Sequence, residues 1–261
     1  FEFKSAIREN ATIHDAYKQL TIRYARDIPE LMKYNAFCVI SDGINNKIGS
    51  IFSNYEFFYS WRRIDETNIL DTTHDTLDSL IKGVLSKKRL LDIIHNFIFF
   101  PDSNEKKDKI ICRYPQYYGS INIFKSILKN IKPKGSGRGG TYFGATGCGK
   151  SYTMLFLSRL LMKSKQLNNP TIILITDRND LDDQLTGTFV NAKSFIGDEN
   201  IISIEKRDSL RVELKERDSG GIFVTTIQKF CEDFKKLSNR TNIICISDEA
   251  HRTQLNLEPK I

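Results

Sequence analysis

A chain of 261 residues has room for one large or two ordinary domains, and a hydrophobic content of 40% is enough to give each a core. The net charge of +7 permits contact with nucleic acid without demanding it, because the excess is modest and spread along the chain. The five cysteines are isolated and none has metal-ligand spacing with a histidine, which argues against a zinc module and fits a reducing cytoplasm; no run is apolar and long enough to span a bilayer, and no signal peptide is visible.

Phe1-Glu2-Phe3-Lys4 alternates apolar and charged residues, so Glu2 and Lys4 share one face of a strand. Ile13, Ala16, Tyr17, Leu20 and Tyr24 recur at helical spacing, and Pro29 sets the turn after them. Ala36 to Ile40 reads as a buried strand closed by Ser41-Asp42-Gly43, and residues 48–61 as strand or loop rich in aromatics, with Trp61 in the core. Two helices follow, one through Leu77, Leu80, Ile81 and Val84, the other from Ser86 through Leu90, Leu91, Ile94, Phe97 and Ile98. The polar, aperiodic stretch 101–109 reads as an interdomain linker, which divides the chain into residues 1–105 and 106–261.

In the second part, Tyr117, Ile121, Phe124, Leu128 and Ile131 form one helical face. Residues 141–143 are expected to be a short strand entering Gly144-Ala145-Thr146-Gly147-Cys148-Gly149-Lys150-Ser151, which fits G-x-x-x-x-G-K-[ST] without a mismatch. The glycines let backbone N–H groups approach phosphates closely, so Thr146, Gly147 and Gly149 are expected to line a nucleoside triphosphate, Lys150 to reach its β- and γ-phosphates, and the Ser151 hydroxyl to take a place on Mg²⁺. An apolar helix through Met154, Leu155, Leu157, Leu160 and Leu161 follows the loop, as phosphate capture at a helix N-terminus needs. Residues 171–175, 221–225 and 243–247 read as buried strands of an open, mostly parallel α/β sheet. The last of these runs straight into Asp248-Glu249-Ala250-His251. A carboxylate at the C-terminal end of a parallel strand faces the ligand crevice, so Asp248 is expected on the metal and Glu249 as the catalytic base that orients the attacking water.

Further segments carry a resemblance. Thr176-Asp177-Arg178-Asn179-Asp180-Leu181, Gly221-Ile222-Phe223-Val224-Thr225-Thr226-Ile227-Gln228, Asp248-Glu249-Ala250-His251-Arg252-Thr253-Gln254, Arg113-Tyr114-Pro115-Gln116-Tyr117 and Val39-Ile40-Ser41-Asp42-Gly43 are similar to segments of the motor and endonuclease subunit, or R subunit, of type I restriction enzymes. The resemblance covers nearly the whole chain. It implies a partial PD-(D/E)xK nuclease-like α/β domain followed by a RecA-like helicase lobe, driven by ATP and Mg²⁺, that translocates along double-stranded DNA and cuts it. It implies work beside a specificity subunit and a methyltransferase subunit that alone uses S-adenosylmethionine.

On the same resemblance, Glu2 and Lys4 stand where the E-x-K half of the nuclease site belongs, Glu2 on the metal and Lys4 beside the attacking water. The aspartate that completes this metal site in the family lies upstream of Phe1. The family often shows Q-x-x-x-Y on the next helix; here Gln19 is a supporting residue, but Tyr24 follows it one position too late and is left without a role. Gln116 is expected to read the adenine edge, against the alternative of a plain polar group at a helix start. Thr176 and Arg178 are expected either to touch a DNA backbone or to form an ordinary strand-end turn. The other reading of the whole is a superfamily 2 helicase or nucleotide-dependent DNA clamp without nuclease activity, with residues 1–105 as an interaction module. The chain starts at Phe1 and stops soon after its acidic box, so it is expected to belong to a longer protein whose second lobe supplies an arginine to the γ-phosphate; residues 1–261 alone are then expected to hydrolyse ATP poorly.

Overall fold

The computed structural model describes residues 1–5, 12–32, 34–64, 77–103, 108–145, 147–177, 179–199, 201–204, 207–227 and 238–248. The chain forms two compact units, Phe1–Tyr118 and Gly119–Ile261.

In the first unit, β1 (Glu2–Phe3) lies parallel to β2 (Cys38–Ser41), which pairs antiparallel with β3 (Asn46–Gly49). Every residue of β2 is buried, as its unbroken apolar run demands. The helix over it begins at Thr12, whose side chain accepts from the Asp15 N–H while the Asp15 carboxylate accepts from the Thr12 N–H, a reciprocal capping box. Those hydrogen bonds hold the Asp15 carboxyl below its ordinary range. The helix runs as α1 (Ile13–Lys18), a π-helical turn (Gln19–Tyr24) and α2 (Ala25–Asp27), with α3 (Pro29–Met32) after it. Ile13, Ala16 and Leu20 bury against Cys38, Ile40, Ile51 and Phe58.

Two further helices follow, α4 (Leu77–Val84) and α5 (Lys87–Asn96). The second stops earlier than its apolar pattern suggests, because Ile98–Phe99 forms β4 and pairs antiparallel with β5 (Ile110–Ile111). The polar stretch 101–109 therefore joins two paired strands, and the division between the compact units falls within α6 (Tyr114–Asn130). Lys109 shows why that stretch is tied down. Its ammonium donates to the carbonyls of Asn35 and Ala36 and lies 5.5 and 5.3 Å from the ring centres of Phe52 and Phe100. Burial lowers its pKa.

Trp61 is buried, donates its indole N–H to Arg63 O at 2.8 Å and packs on Tyr114, Tyr117 and Tyr118. Gly83 of α4 lies against it: a Cβ there would stand 2.5 Å from Arg63 O and 2.6 Å from Trp61 Cδ1. Gly83→Ala gains about 1 kcal/mol of helix propensity, but the clash with a fixed carbonyl costs about 1–3 kcal/mol. The expected result is a lower urea midpoint, read by the emission of Trp61, the only tryptophan in the sequence.

The second unit is built on four parallel strands in the order β7 (Ile201–Ser203), β8 (Ile222–Thr226), β6 (Thr171–Thr176), β9 (Ile243–Ser247). Between them run α7 (Lys150–Lys163), α8 (Asn179–Val190), α9 (Lys193–Ile196) and α10 (Arg207–Glu216). This is a mixed α/β architecture around a parallel sheet, as expected. Leu210 and Leu214, four apart on the otherwise charged α10, bury with Ile173, Ile204 and Phe223. Two expectations are corrected. Residues 141–143 form no strand; Tyr142 lies over Gly119 of α6, and Phe143 is 95% exposed. And β9, at an edge of the sheet, is half-exposed rather than buried throughout, with Cys245 and Ser247 open to solvent.

Candidate functional site

The phosphate-loop sequence folds as its glycines require. Gly147 and Gly149 have φ of 78° and 81°, in the left-handed region that side chains disfavour. A Cβ built on Gly147 meets nothing within 4 Å, so the loop faces open space there. Gly149 is the N-cap of α7 and has no side chain with which to cap it, so the positive end of that helix is presented toward the loop. Lys150 opens α7, with its ammonium 3.5 Å from Gly144 O, and Ser151 sits in the same first turn. A cradle of this shape and chemistry suits a triphosphate. Thr146 lies outside the described residues.

Asp248 stands at the C-terminal end of β9, where its N–H donates to Ile175 O at 2.8 Å and prolongs the β9–β6 ladder by one bond. That places it among the strand ends where parallel sheets receive ligands. Glu249 and Arg178 lie outside the described residues. Thr176 is buried, and its hydroxyl donates to Thr225 O at 3.5 Å; the expected contact with a DNA backbone is corrected, because the side chain points into the sheet. Gln116 is buried in the first turn of α6, and its amide oxygen accepts from the Arg113 N–H at 2.8 Å. That bond is the polar helix-start role weighed above against adenine reading.

In the first unit, β1 turns the usual order inside out. Phe1 and Phe3 are 62% and 53% exposed, whereas Glu2 and Lys4 are half-buried. Exposing phenylalanine to bring charge inward runs against burial energetics unless the charges have partners. They do. The Lys4 N–H extends the pairing with β2 by donating to Ser41 O at 2.8 Å, which aims the side chain at the helix. There the Lys4 ammonium donates to a Glu2 carboxylate oxygen at 2.9 Å and to the amide oxygen of Gln19. The Gln19 amide nitrogen in turn donates to the Tyr24 hydroxyl at 2.5 Å. The structure thus gathers the three residues expected at this site and adds Tyr24. Among the described residues no group of three or more His, Cys, Asp or Glu side chains could hold a metal; Glu2 offers one carboxylate. Cys38 lies buried on the neighbouring strand, and burial pushes its thiol up to about 11, so it takes no part in this chemistry.

The comparisons with known proteins agree with this division of chemistry. Residues 115–259 match the SWI2/SNF2 ATPase family, and residues 1–57 match the type I restriction enzyme R protein N terminus. The chain is similar to the type I restriction enzyme HindI endonuclease subunit of Haemophilus influenzae, 40% identical over 269 residues, covering 100% of this chain and 25% of that protein. It is similar also to two Methanocaldococcus jannaschii proteins named putative type I restriction enzyme MjaIXP and MjaVIIIP endonuclease subunits. These are 34% and 26% identical, each over 97% of this chain and about a quarter of their own length. The chain therefore spans about a quarter of the curated relatives it matches. With a glycine cradle before α7, an acidic strand end at Asp248 and a matched R protein segment ahead of them, the chain belongs to the SWI2/SNF2 ATPase family, in the form carried by type I restriction enzyme R subunits.

Proposed function

We propose that this chain is part of an ATP-dependent, Mg²⁺-dependent subunit that translocates double-stranded DNA and cleaves it, beside a specificity subunit and a methyltransferase subunit. The observation that carries the nuclease half is the Lys4 ammonium held between Glu2 and Gln19 on an inverted strand, within the segment that matches the R protein N terminus. We assign the PD-(D/E)xK fold to this part on the same ground.

In the motor lobe, Gly147 and Gly149 present backbone N–H groups to the triphosphate, and Lys150 swings from Gly144 O to the β- and γ-phosphates. Ser151 and Asp248 are the residues that would hold Mg²⁺, and Glu249 orients the attacking water. The metal, when bound, neutralises charge developing between the β- and γ-phosphate oxygens. In the nuclease part, Glu2 would hold a second Mg²⁺, and Lys4 steadies the water and the negative charge that develops on the scissile phosphate.

Metal and nucleotide removal test the reading in the full-length subunit assembled with its partners. Chelation with EDTA is expected to stop both ATP hydrolysis and DNA cutting. Omission of ATP is expected to stop cutting of unmodified circular DNA while Mg²⁺ remains. ATP hydrolysis that continues with Mg²⁺ over DNA left intact would overturn the nuclease half and leave a nucleotide-dependent clamp.

A further inference from the structure

We propose that Tyr24 is a positioning residue for DNA cleavage, delivered to the Glu2–Lys4–Gln19 row by the π-helical turn. The inference rests on the nuclease reading above.

The argument is one of register. In an α-helix each residue turns by about 100°, so positions five apart lie about 140° from one another and cannot bond side chain to side chain. Gln19 and Tyr24 are five apart, yet the Gln19 amide nitrogen donates to the Tyr24 hydroxyl at 2.5 Å. The reason is the backbone between them. Residues Gln19–Tyr24 form a π-helical turn, and the Ala25 N–H reaches back five residues to Leu20 O. Such a turn accommodates one extra residue without disturbing the helix on either side, and it is rare enough in proteins to mark sites where it is needed. Here both flanks remain seated, with Ile13, Ala16 and Leu20 before it and Tyr24 and Ala25 after it all packed on the same core.

The hydroxyl has a definite task. An amide can sit either way round, and only one way sets its oxygen toward the Lys4 ammonium. By accepting from the nitrogen, Tyr24 fixes that choice. Lys4 is then held between two oxygens, one from Glu2 and one from Gln19, which limits where its charge points.

Tyr24→Phe removes only the hydroxyl. In the full-length subunit assembled with its partners, it is expected to lower kcat for DNA cutting about 10- to 100-fold, with KM for DNA, DNA-stimulated ATPase and the unfolding midpoint unchanged. Because Tyr24 acts through Gln19, Tyr24→Phe is expected to add nothing to Gln19→Ala in the double variant. Deletion of Ile22, which is 59% exposed, shortens the spacing to four and lets the turn become α-helical with the bond intact; cutting is expected to stay within about threefold of the parent. Cutting by Tyr24→Phe at the parent rate, or additive losses with Gln19→Ala, overturns the proposal. So does loss of cutting by the Ile22 deletion when its ATPase is intact. A Lys4→Ala variant run alongside separates the two claims: if it still cuts, the nuclease reading itself has failed, whereas a dead Lys4→Ala beside an unaffected Tyr24→Phe removes only the role of Tyr24.

Discussion

Lys150→Ala is expected to abolish DNA-stimulated ATP hydrolysis in the full-length subunit, by about 100- to 1,000-fold, and translocation and cutting with it. The loss follows from what the side chain can do that the loop cannot. Backbone N–H groups at Gly147 and Gly149 contribute partial charges to a triphosphate, whereas Lys150 contributes a full, mobile one. In the structure that charge rests near Gly144 O at 3.5 Å, a long, weak bond from which it can be drawn to a phosphate at little cost. Folding is expected to be intact, because α7 takes its stability from Leu155, Phe156 and Leu161, which are fully buried on the other faces of the helix. Circular dichroism and the unfolding midpoint check that. A folded Lys150→Ala subunit with the parent's hydrolysis rate would sink the assignment of the cradle.

The part of this molecule legible in the sequence is the part governed by short-range rules. Left-handed glycines at 147 and 149, the helix after them, and β6 and β8 follow from local chemistry and periodicity, and the structure places them where those rules put them. What is not legible depends on partners distant along the chain. Two-residue strands such as β4 and β5 are too short to leave a pattern, so the polar residues between them read as a linker. Nothing near Lys109 announces that its ammonium is taken up by the carbonyls of Asn35 and Ala36. The apolar run 243–247 reads as buried, but its exposure is set by its place at an edge of the sheet. Thr176 reads as a strand-end polar group free to meet DNA, yet the neighbouring strand buries it.

Tyr24 is the instructive case. Every pattern argument for helices assumes a constant turn of about 100° per residue, and a π-helical turn breaks that assumption locally. The spacing of Gln19 and Tyr24 thus counts against their pairing in the sequence, while the folded backbone provides for it. The signal that was available lay one step further on. Tyr24 fits the apolar stripe of Ile13, Ala16 and Leu20, so it had to face the same core whatever Gln19 did.

The second large effect is expected at the other end of the chain. Lys4→Ala should lower DNA cutting about 100- to 10,000-fold while DNA-stimulated ATPase continues. The separation is the informative part, because a residue needed for folding would take both activities down together. Lys4 is suited to so clean a test. Its backbone N–H holds β1 to Ser41 O at 2.8 Å, and alanine keeps that bond. Its side chain is 19% exposed and makes polar rather than packing contacts, with Glu2 and Gln19, so its removal opens no apolar cavity. What alanine takes away is the positive charge beside Glu2. A carboxylate left without it is a harder place to gather a water and a phosphodiester, whose charges are both negative at the moment of attack. Lys4→Arg keeps the charge but spreads it over a planar fork that cannot sit between two oxygens as an ammonium does, and it is expected to recover little cutting. Cutting by Lys4→Ala at the parent rate would leave the inverted burial of β1 as a structural feature alone and hand residues of the first unit to the clamp reading.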